Sequence, residues 1–231
     1  ASLESNFALK SAVGEKRFYR GMAPSEDALI NTLLNFQQSS CVNSASQRTI
    51  ESCDAVLILG EDLTHTSPRT ALSLRQTVRQ RARELADEAR IPFWQDAAVR
   101  ELAQQEKSPL FIINTHKSDL DDIAEDTYFN SPLKIARLGF AIAEQLRNKD
   151  GDTSGALTPE EKRLCSSIAN ALSQAKRPLI IAGASLLNQD VLNSALAVIK
   201  SLYDCREEVV QAHLVVPEVN TLGLALLTHS E

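Results

Sequence analysis

The sequence predicts an α/β protein, with parallel-sheet, Rossmann-like lobes flanked by helices. Leucine and alanine dominate its 231 residues and aromatic residues make up only 5%, a balance that favours helices packed on a sheet. Short apolar runs at 54–59, 108–115 and 177–183 alternate with longer segments of helical periodicity. This alternation is typical of parallel strands that are joined by crossover helices.

The first half of the chain supplies the larger share of these elements. Residues 1–10 have the character of a helix interior, and Ser25 is the predicted N-cap of the next helix, with acidic residues in its first turn. The run 54–59 is apolar after its aspartate, as expected for a strand covered on both faces. Pro68 then begins a helix that is predicted to continue to about residue 89, with its arginines on the solvent side.

The middle of the chain repeats this order. A helix follows Pro92, a second buried strand is predicted at 108–115, and residues 118–129 form an acidic connection. The next helix begins at Pro132, with Ser131 as its cap. These elements complete a first lobe over residues 1–148.

A polar stretch rich in turn-forming residues, 149–162, is the predicted linker between lobes. It ends in a capping box formed by Thr158 and Glu161, with Pro159 at the first helical position. A helix, the strand 177–183, a second helix and an irregular tail then give a second, smaller lobe at 163–231. Because the chain starts without methionine and stops without a domain-ending feature, we expect it to be part of a longer protein.

Charge and hydropathy exclude several classes of protein. A net charge of −6 argues against binding to nucleic acid, which requires a basic surface. An apolar run of about 18 residues, as a membrane span needs, does not occur, so we expect no direct membrane insertion. We expect no signal peptide either.

The cysteines and histidines are too scattered to predict a metal site. Zinc and iron–sulfur ligands usually come in tight local spacings, and this sequence has no such cluster. We therefore expect buried free thiols in a reducing cytoplasm and no metal in this chain. The residues concerned are Cys41, Cys53, Cys165, Cys205, His65, His116, His213 and His229.

The turn after the first buried strand is the candidate ligand site. Gly60 ends the strand just before a helix, which is where α/β proteins bind nucleotides, and Gly183 ends the later strand in the same way. No glycine-rich phosphate motif is present, and the carboxylates of Glu61 and Asp62 would repel a phosphate. A plain strand-to-helix turn is therefore the competing interpretation, with Asp62 as a helix cap rather than an acid/base or metal partner of His65.

Two other features admit two interpretations. The arginine-rich stretch 75–90 is either a surface for RNA or an acidic partner, or a solvated helix face with salt bridges; its interleaved acidic residues favour the second. Trp94, the only tryptophan, is expected in the core rather than at an interface. No catalytic residue is predicted.

Three stretches resemble a known family. "DAVLILGEDLTHTSPRTALSLRQ" (54–76) is similar to a pattern in the large iron–sulfur subunit, the G subunit, of bacterial NADH–quinone oxidoreductase, or respiratory complex I. "IPFWQDAAVRELAQ" (91–104) resembles the segment that follows it, and "AKRPLIIAGASLLNQDVLNSALAVIKSL" (175–202) resembles a later strand and helix. The matching positions in the first stretch are Gly60, Glu61, Asp62, Thr66, Pro68, Leu72 and Arg75.

This resemblance implies a fragment of the subunit's molybdopterin oxidoreductase (formate dehydrogenase)-like region. The subunit's iron–sulfur clusters would lie outside the fragment, and its partners would be other subunits of the peripheral arm, at the cytoplasmic face of the plasma membrane. In molybdenum-containing relatives the turn corresponding to Gly60 carries an asparagine that faces the pterin-guanine dinucleotide, whereas Glu61 and Asp62 follow the glycine here. The resemblance thus implies a vestigial nucleotide site at Gly60, Glu61, Asp62 and Gly183, with no cofactor in this fragment.

Two alternatives remain at this stage. One is a fragment of a molybdopterin-dependent oxidoreductase that still binds its dinucleotide cofactor. The other is a free-standing NAD-binding module, which the missing glycine fingerprint disfavours.

Overall fold

The computed structural model describes residues 2–104, 106–147 and 157–228. The centre of the fold is one β-sheet. All its strand pairs are parallel, so the α/β fold predicted from the sequence is confirmed. The strands are β1 (Val42–Ser44), β2 (Ala55–Leu59), β3 (Leu110–Asn114), β4 (Asp126–Phe129), β5 (Pro178–Gly183) and β6 (Val210–Val215). Their order across the six-stranded sheet is β1-β6-β5-β2-β3-β4.

Helices cover both faces of this sheet, because the central strands are apolar on both faces. They are α1 (Leu3–Val13), α2 (Pro24–Gln37), α3 (Gln47–Glu51), α4 (Leu63–Thr66), α5 (Pro68–Thr77), α6 (Gln80–Glu88), α7 (Asp96–Ala103), α8 (Pro132–Arg147), α9 (Pro159–Gln174), α10 (Gln189–Arg206) and α11 (Thr221–Thr228). A short 3₁₀ turn, Glu15–Arg17, follows α1.

Alternate residues of the central strands enter two separate cores. Leu57 and Leu59 of β2 pack with α2, α8, α9 and α10 in the larger core. Val56 and Ile58 of the same strand face α3, α4 and α5 in the smaller one. All five residues of β2 are buried, as its unbroken apolar run predicts.

The sheet joins the two parts of the chain that the sequence divides at 149–162. Strands β5 and β6 come from the predicted smaller lobe, yet they lie between β1 and β2 of the predicted larger one. The two predicted lobes therefore contribute strands to one sheet. Of the predicted linker, residues 149–156 lie outside the described part; Leu157 is buried and α9 begins at Pro159, so 157–162 is part of the folded body.

The predicted start of α9 is confirmed, whereas the predicted cap of α2 is wrong. The capping box is present: Thr158 Oγ1 accepts from the backbone N–H of Glu161 at 3.2 Å, and Glu161 Oε2 accepts from that of Thr158 at 2.8 Å. Ser25 does not cap α2, because Pro24 is already helical and Ala23 holds the N-cap position.

The single helix predicted from Pro68 to about residue 89 is in fact two helices, α5 and α6. Ser108 explains the break, because its backbone N–H donates to the carbonyl oxygen of Val78 at 3.0 Å. Its Oγ also accepts from the backbone N–H of Arg81 at 3.1 Å. A buried serine from before β3 thus satisfies backbone groups that a continuous helix would use itself.

Candidate functional site at the switch point of the sheet

The chain reverses its direction of travel across the sheet at β2. From β2 it moves to β3 and then β4, and it returns to β5 on the other side of β2. Ligands of open α/β sheets bind outside the carboxyl ends of the strands at such a switch point. The crevice between the carboxyl ends of β2 and β5, here called the switch crevice, is therefore where a nucleotide would be expected.

The two predicted glycines lie side by side at this crevice. Leu59 pairs with Ala182, so that Gly60 follows directly beside Gly183. Gly60 has a φ of +77°, which favours glycine, and a Cβ there would lie 2.8 Å from Cγ1 of Val191. A Cβ on Gly183 would overlap the carbonyl oxygen of Val215 and the carboxylate of Glu61, so both positions require a residue without a side chain.

Glu61 reaches from the end of β2 across the switch crevice to the loop after β5. Only 2% of its surface is exposed. Its Oε1 accepts a hydrogen bond from the backbone N–H of Ser185 at 3.1 Å, and its Oε2 accepts another from the Ser185 hydroxyl. Burial raises the pKa of Glu61 to about 7, although the hydrogen bonds from Ser185 act in the opposite direction.

Asp62, the next residue, points away from β5 and toward the loop after β3. Its Oδ1 accepts from the backbone N–H of Thr64 at 3.1 Å and thereby caps α4. Its Oδ2 lies 2.6 Å from Nδ1 of His65 and 3.3 Å from Nε2 of His116. Burial acts to raise the pKa of Asp62, but the hydrogen bonds from the two histidines hold it below its usual value.

The structure confirms the interpretation of Asp62 as a helix cap and adds a partner that the sequence does not reveal. His116 lies 54 residues further along the chain, and only the pairing of β2 with β3 brings it to Asp62. Both imidazole rings are largely exposed. Within the described residues, no three His, Cys, Asp or Glu side chains are grouped closely enough to hold a metal ion.

The hydrogen-bond donors that Ser185 presents at the switch crevice are engaged by Glu61. A phosphate there would need the N–H and O–H groups of Ser185, and both already donate to Glu61. It would also meet the buried carboxyl group of Glu61, which repels a phosphate once it is ionised above its pKa of about 7.

The structure also places Trp94 and the four cysteines. Trp94 is 80% exposed and is not in the core, so the sequence-based expectation is wrong there. Cys53 and Cys165 are buried free thiols, and burial raises the pKa of each to about 12. Cys41 is half-buried and Cys205 is exposed, so the expectation of buried thiols fails for Cys205.

The fold and this crevice define a doubly wound, all-parallel α/β protein, and comparison with solved structures agrees. A chain of the formyltransferase/hydrolase complex from Methylorubrum extorquens, whose crystal structure contains methylofuran, is similar with a TM-score of 0.52. The match covers 93% of the present chain and 49% of the other at 13% identity, and it therefore shows a similar fold alone.

Curated relatives specify the family. The G subunit of NADH-quinone oxidoreductase from Pseudomonas fluorescens is 43% identical over 227 residues, and that from Escherichia coli K12 is 40% identical over the same length. No family model matches the chain. The chain is thus a homologue of one segment of this G subunit, as its three motifs predicted. The match covers 98% of this chain, which spans a quarter of the length of the relatives.

Proposed function

We propose that this chain is a structural segment of an NADH–quinone oxidoreductase G subunit and binds no cofactor of its own. The whole subunit would carry electrons from NADH toward quinone through iron–sulfur clusters that lie outside the segment. It would do so in the peripheral arm of the complex, at the cytoplasmic face of the bacterial plasma membrane. Within the described residues, no helix is both long and apolar enough to cross a bilayer.

The buried side chain of Glu61 carries this proposal. It occupies the place where a doubly wound sheet would receive a nucleotide, and it uses both hydrogen-bond donors of Ser185. A cofactor-binding enzyme of this fold would need that crevice open. The rival function, a molybdopterin-dependent oxidoreductase that retains its dinucleotide, would require Glu61 to leave the crevice.

The surface of the segment offers apolar residues for contacts with the rest of the assembly. Leu133 and Phe140 on α8 are 74% and 45% exposed, and they line a groove of about 530 Å³ together with Leu157. Exposed side chains of this kind at a groove are typical of protein–protein contact sites. We propose that other parts of the peripheral arm pack against this groove.

Thermal unfolding in the presence of nucleotides tests the absence of a cofactor. The protein should show no saturable rise in Tm with GDP, GTP or NADH up to millimolar concentration. A ligand at one hundred times its Kd would stabilise the fold by about 2.7 kcal/mol, which is several degrees for a chain of this size. A saturable shift that the Gly60→Val variant abolishes would favour the molybdopterin-dependent alternative.

Assembly of the full-length subunit tests the structural role. Leu133→Asp and Phe140→Asp should weaken its association with the other subunits, because a charge would enter an apolar contact. Val219→Asp is the matched control, since Val219 is 98% exposed and lies outside this groove. Equal assembly of all three variants, measured by the yield of intact complex, would refute the proposed contact at α8.

A further inference from the structure

We propose that Glu61 is a built-in ligand: its carboxyl group fills a small carboxyl-binding site formed by Ser185 and Gly183. Removal of the side chain should therefore open a site for a free carboxylate such as acetate. A built-in ligand explains why the crevice is closed, whatever the role of the segment in the complex.

The loop that carries the donors of this site is held by hydrogen bonds that do not involve Glu61. Ser185 lies in a turn in which the backbone N–H of Leu187 donates to the carbonyl oxygen of Ala184 at 2.9 Å. The same loop is fixed at its end by Asn188, whose side chain caps α10 by accepting from the N–H of Val191 at 3.0 Å. The backbone N–H of Ser185 should therefore keep its position when Glu61 is shortened, with the hydroxyl group free to turn toward a new acceptor.

The walls of the site are equally independent of the carboxylate. Gly183 leaves the space that Oε1 of Glu61 occupies, since a Cβ at this position would overlap that oxygen. Gly60 allows Leu186 and Val191 to pack against the backbone just before Glu61, at 3.3 and 2.8 Å from the position of an added Cβ. Two neutral donors of Ser185 meet the two oxygens of the buried Glu61 carboxyl group.

The arrangement differs from an ordinary strand-to-helix turn. Asp62 is the residue that caps the following helix, so Glu61 is not needed to begin it. Glu61 instead bridges two strands that are more than a hundred residues apart in the chain, through groups that a bound anion would use. A side chain from one strand end thus takes the position of a ligand bound between two strand ends.

The Glu61→Ala variant tests this proposal, because the atoms that it removes correspond to one acetate ion. Acetate should raise the Tm of this variant in a saturable manner, by about 3 °C at ten times its Kd. Phosphate is a second probe, and a larger response to phosphate than to acetate would overturn the assignment of a site shaped for a carboxylate. The wild-type protein and Glu61→Gln should show no saturable response to either ion, since their site stays filled.

The double variant Glu61→Ala/Ser185→Ala identifies the donors, and it should lose most of the response to acetate. If Glu61→Ala does not fold alone, acetate added during refolding should increase the yield of folded protein, whereas equimolar chloride should not. The absence of any acetate effect on a folded Glu61→Ala protein, or on its refolding, would overturn the proposal. An equal effect of acetate on the wild-type protein and Glu61→Ala would overturn it as well.

Discussion

Two neighbouring carboxyl groups at the carboxyl end of β2 lie in opposite environments, and their pKa values shift in opposite directions. On the β5 side, Glu61 is enclosed between two strand ends and its pKa is raised to about 7 by burial. On the β3 side, Asp62 lies beneath two exposed histidines and its pKa is lowered. One peptide bond separates the two residues, so the difference comes from what each side of the strand offers.

Under the proposed function, the β5 side is a ligand site that has closed while its frame persists. The β5 side keeps the glycines and the donors of a binding crevice, but a side chain of the protein occupies it. On the β3 side, Asp62 caps the next helix and lies beneath polar side chains. A glycine that a ligand site requires and a glycine that an internal side chain requires therefore look the same in the sequence.

Gly183→Ala should have the largest effect on this arrangement. The added Cβ would overlap the backbone oxygen of Val215 and the carboxylate of Glu61, and neither can move without breaking the sheet or the bonds to Ser185. We expect the free energy of unfolding to fall by about 4 kcal/mol, above the usual cost of overpacking. Urea denaturation measures this change.

Gly223→Ala is the control for that substitution. Gly223 lies within α11, and an added Cβ would meet the flexible end of Leu3 at 3.1 Å. Because alanine favours helix, the expected change in unfolding free energy is neutral or slightly stabilising. A loss at Gly183 no greater than that at Gly223 would show that the β5 side is not tightly enclosed.

The pH dependence of stability should differ between wild type and Glu61→Gln. In the unfolded chain Glu61 loses its proton near pH 4.5, but in the folded protein only near pH 7. The folded state binds the extra proton between these values, so wild type should lose stability as the pH rises through that window. The loss should be about 3 kcal/mol relative to Glu61→Gln, with little further change above pH 8.

Urea midpoints of the two proteins at pH 5 and pH 8 measure this difference, and groups elsewhere cancel between them. The same pH dependence in both proteins would mean that Glu61 is not buried in solution.

Asp62→Asn should show the opposite dependence on pH with a smaller effect. The lowered pKa of Asp62 means that its contribution is present above the unfolded value of 3.8 and is lost as the pH falls through the folded value. At neutral pH the substitution weakens the bonds to His65 and His116, and we expect a loss of about 1 kcal/mol. In urea titrations the difference between wild type and Asp62→Asn should shrink as the pH falls below 3.8; a difference that does not shrink at any acidic pH at which wild type still folds would contradict the ionised cap.

The sequence predicts the parts of this site whose signal is local. Gly60 and Gly183 stand out because each ends an apolar run before a helix, and Asp62 is a recognisable cap. The bond from Ser185 to Glu61 spans 124 residues and that from His116 to Asp62 spans 54, so neither has a local pattern. Both hydrogen bonds depend on the order of the strands in the sheet, which the periodicity of the sequence does not predict.

In the fold, too, the elements with a strong local sequence signal are the ones that the sequence predicts. Buried central strands such as β2 and β3 are apparent from their apolar runs, whereas β1, β4 and β6 are missed. Strands β1 and β4 are short and lie at the sheet edges, and β4 carries polar residues that resemble a connection. Trp94 is misplaced because hydrophobicity alone does not distinguish a core from a contact surface.

The position of β5 also constrains how the protein is made on the ribosome. Ala55 pairs with Pro178 and Val42 with Val210, so β2 and β1 are synthesised long before their partners. Until then the nascent chain carries an apolar strand with one bare edge, a known template for aggregation. A chain that stopped before residue 178 would keep that edge open permanently, so synthesis must pass β5 before the sheet can close around β2.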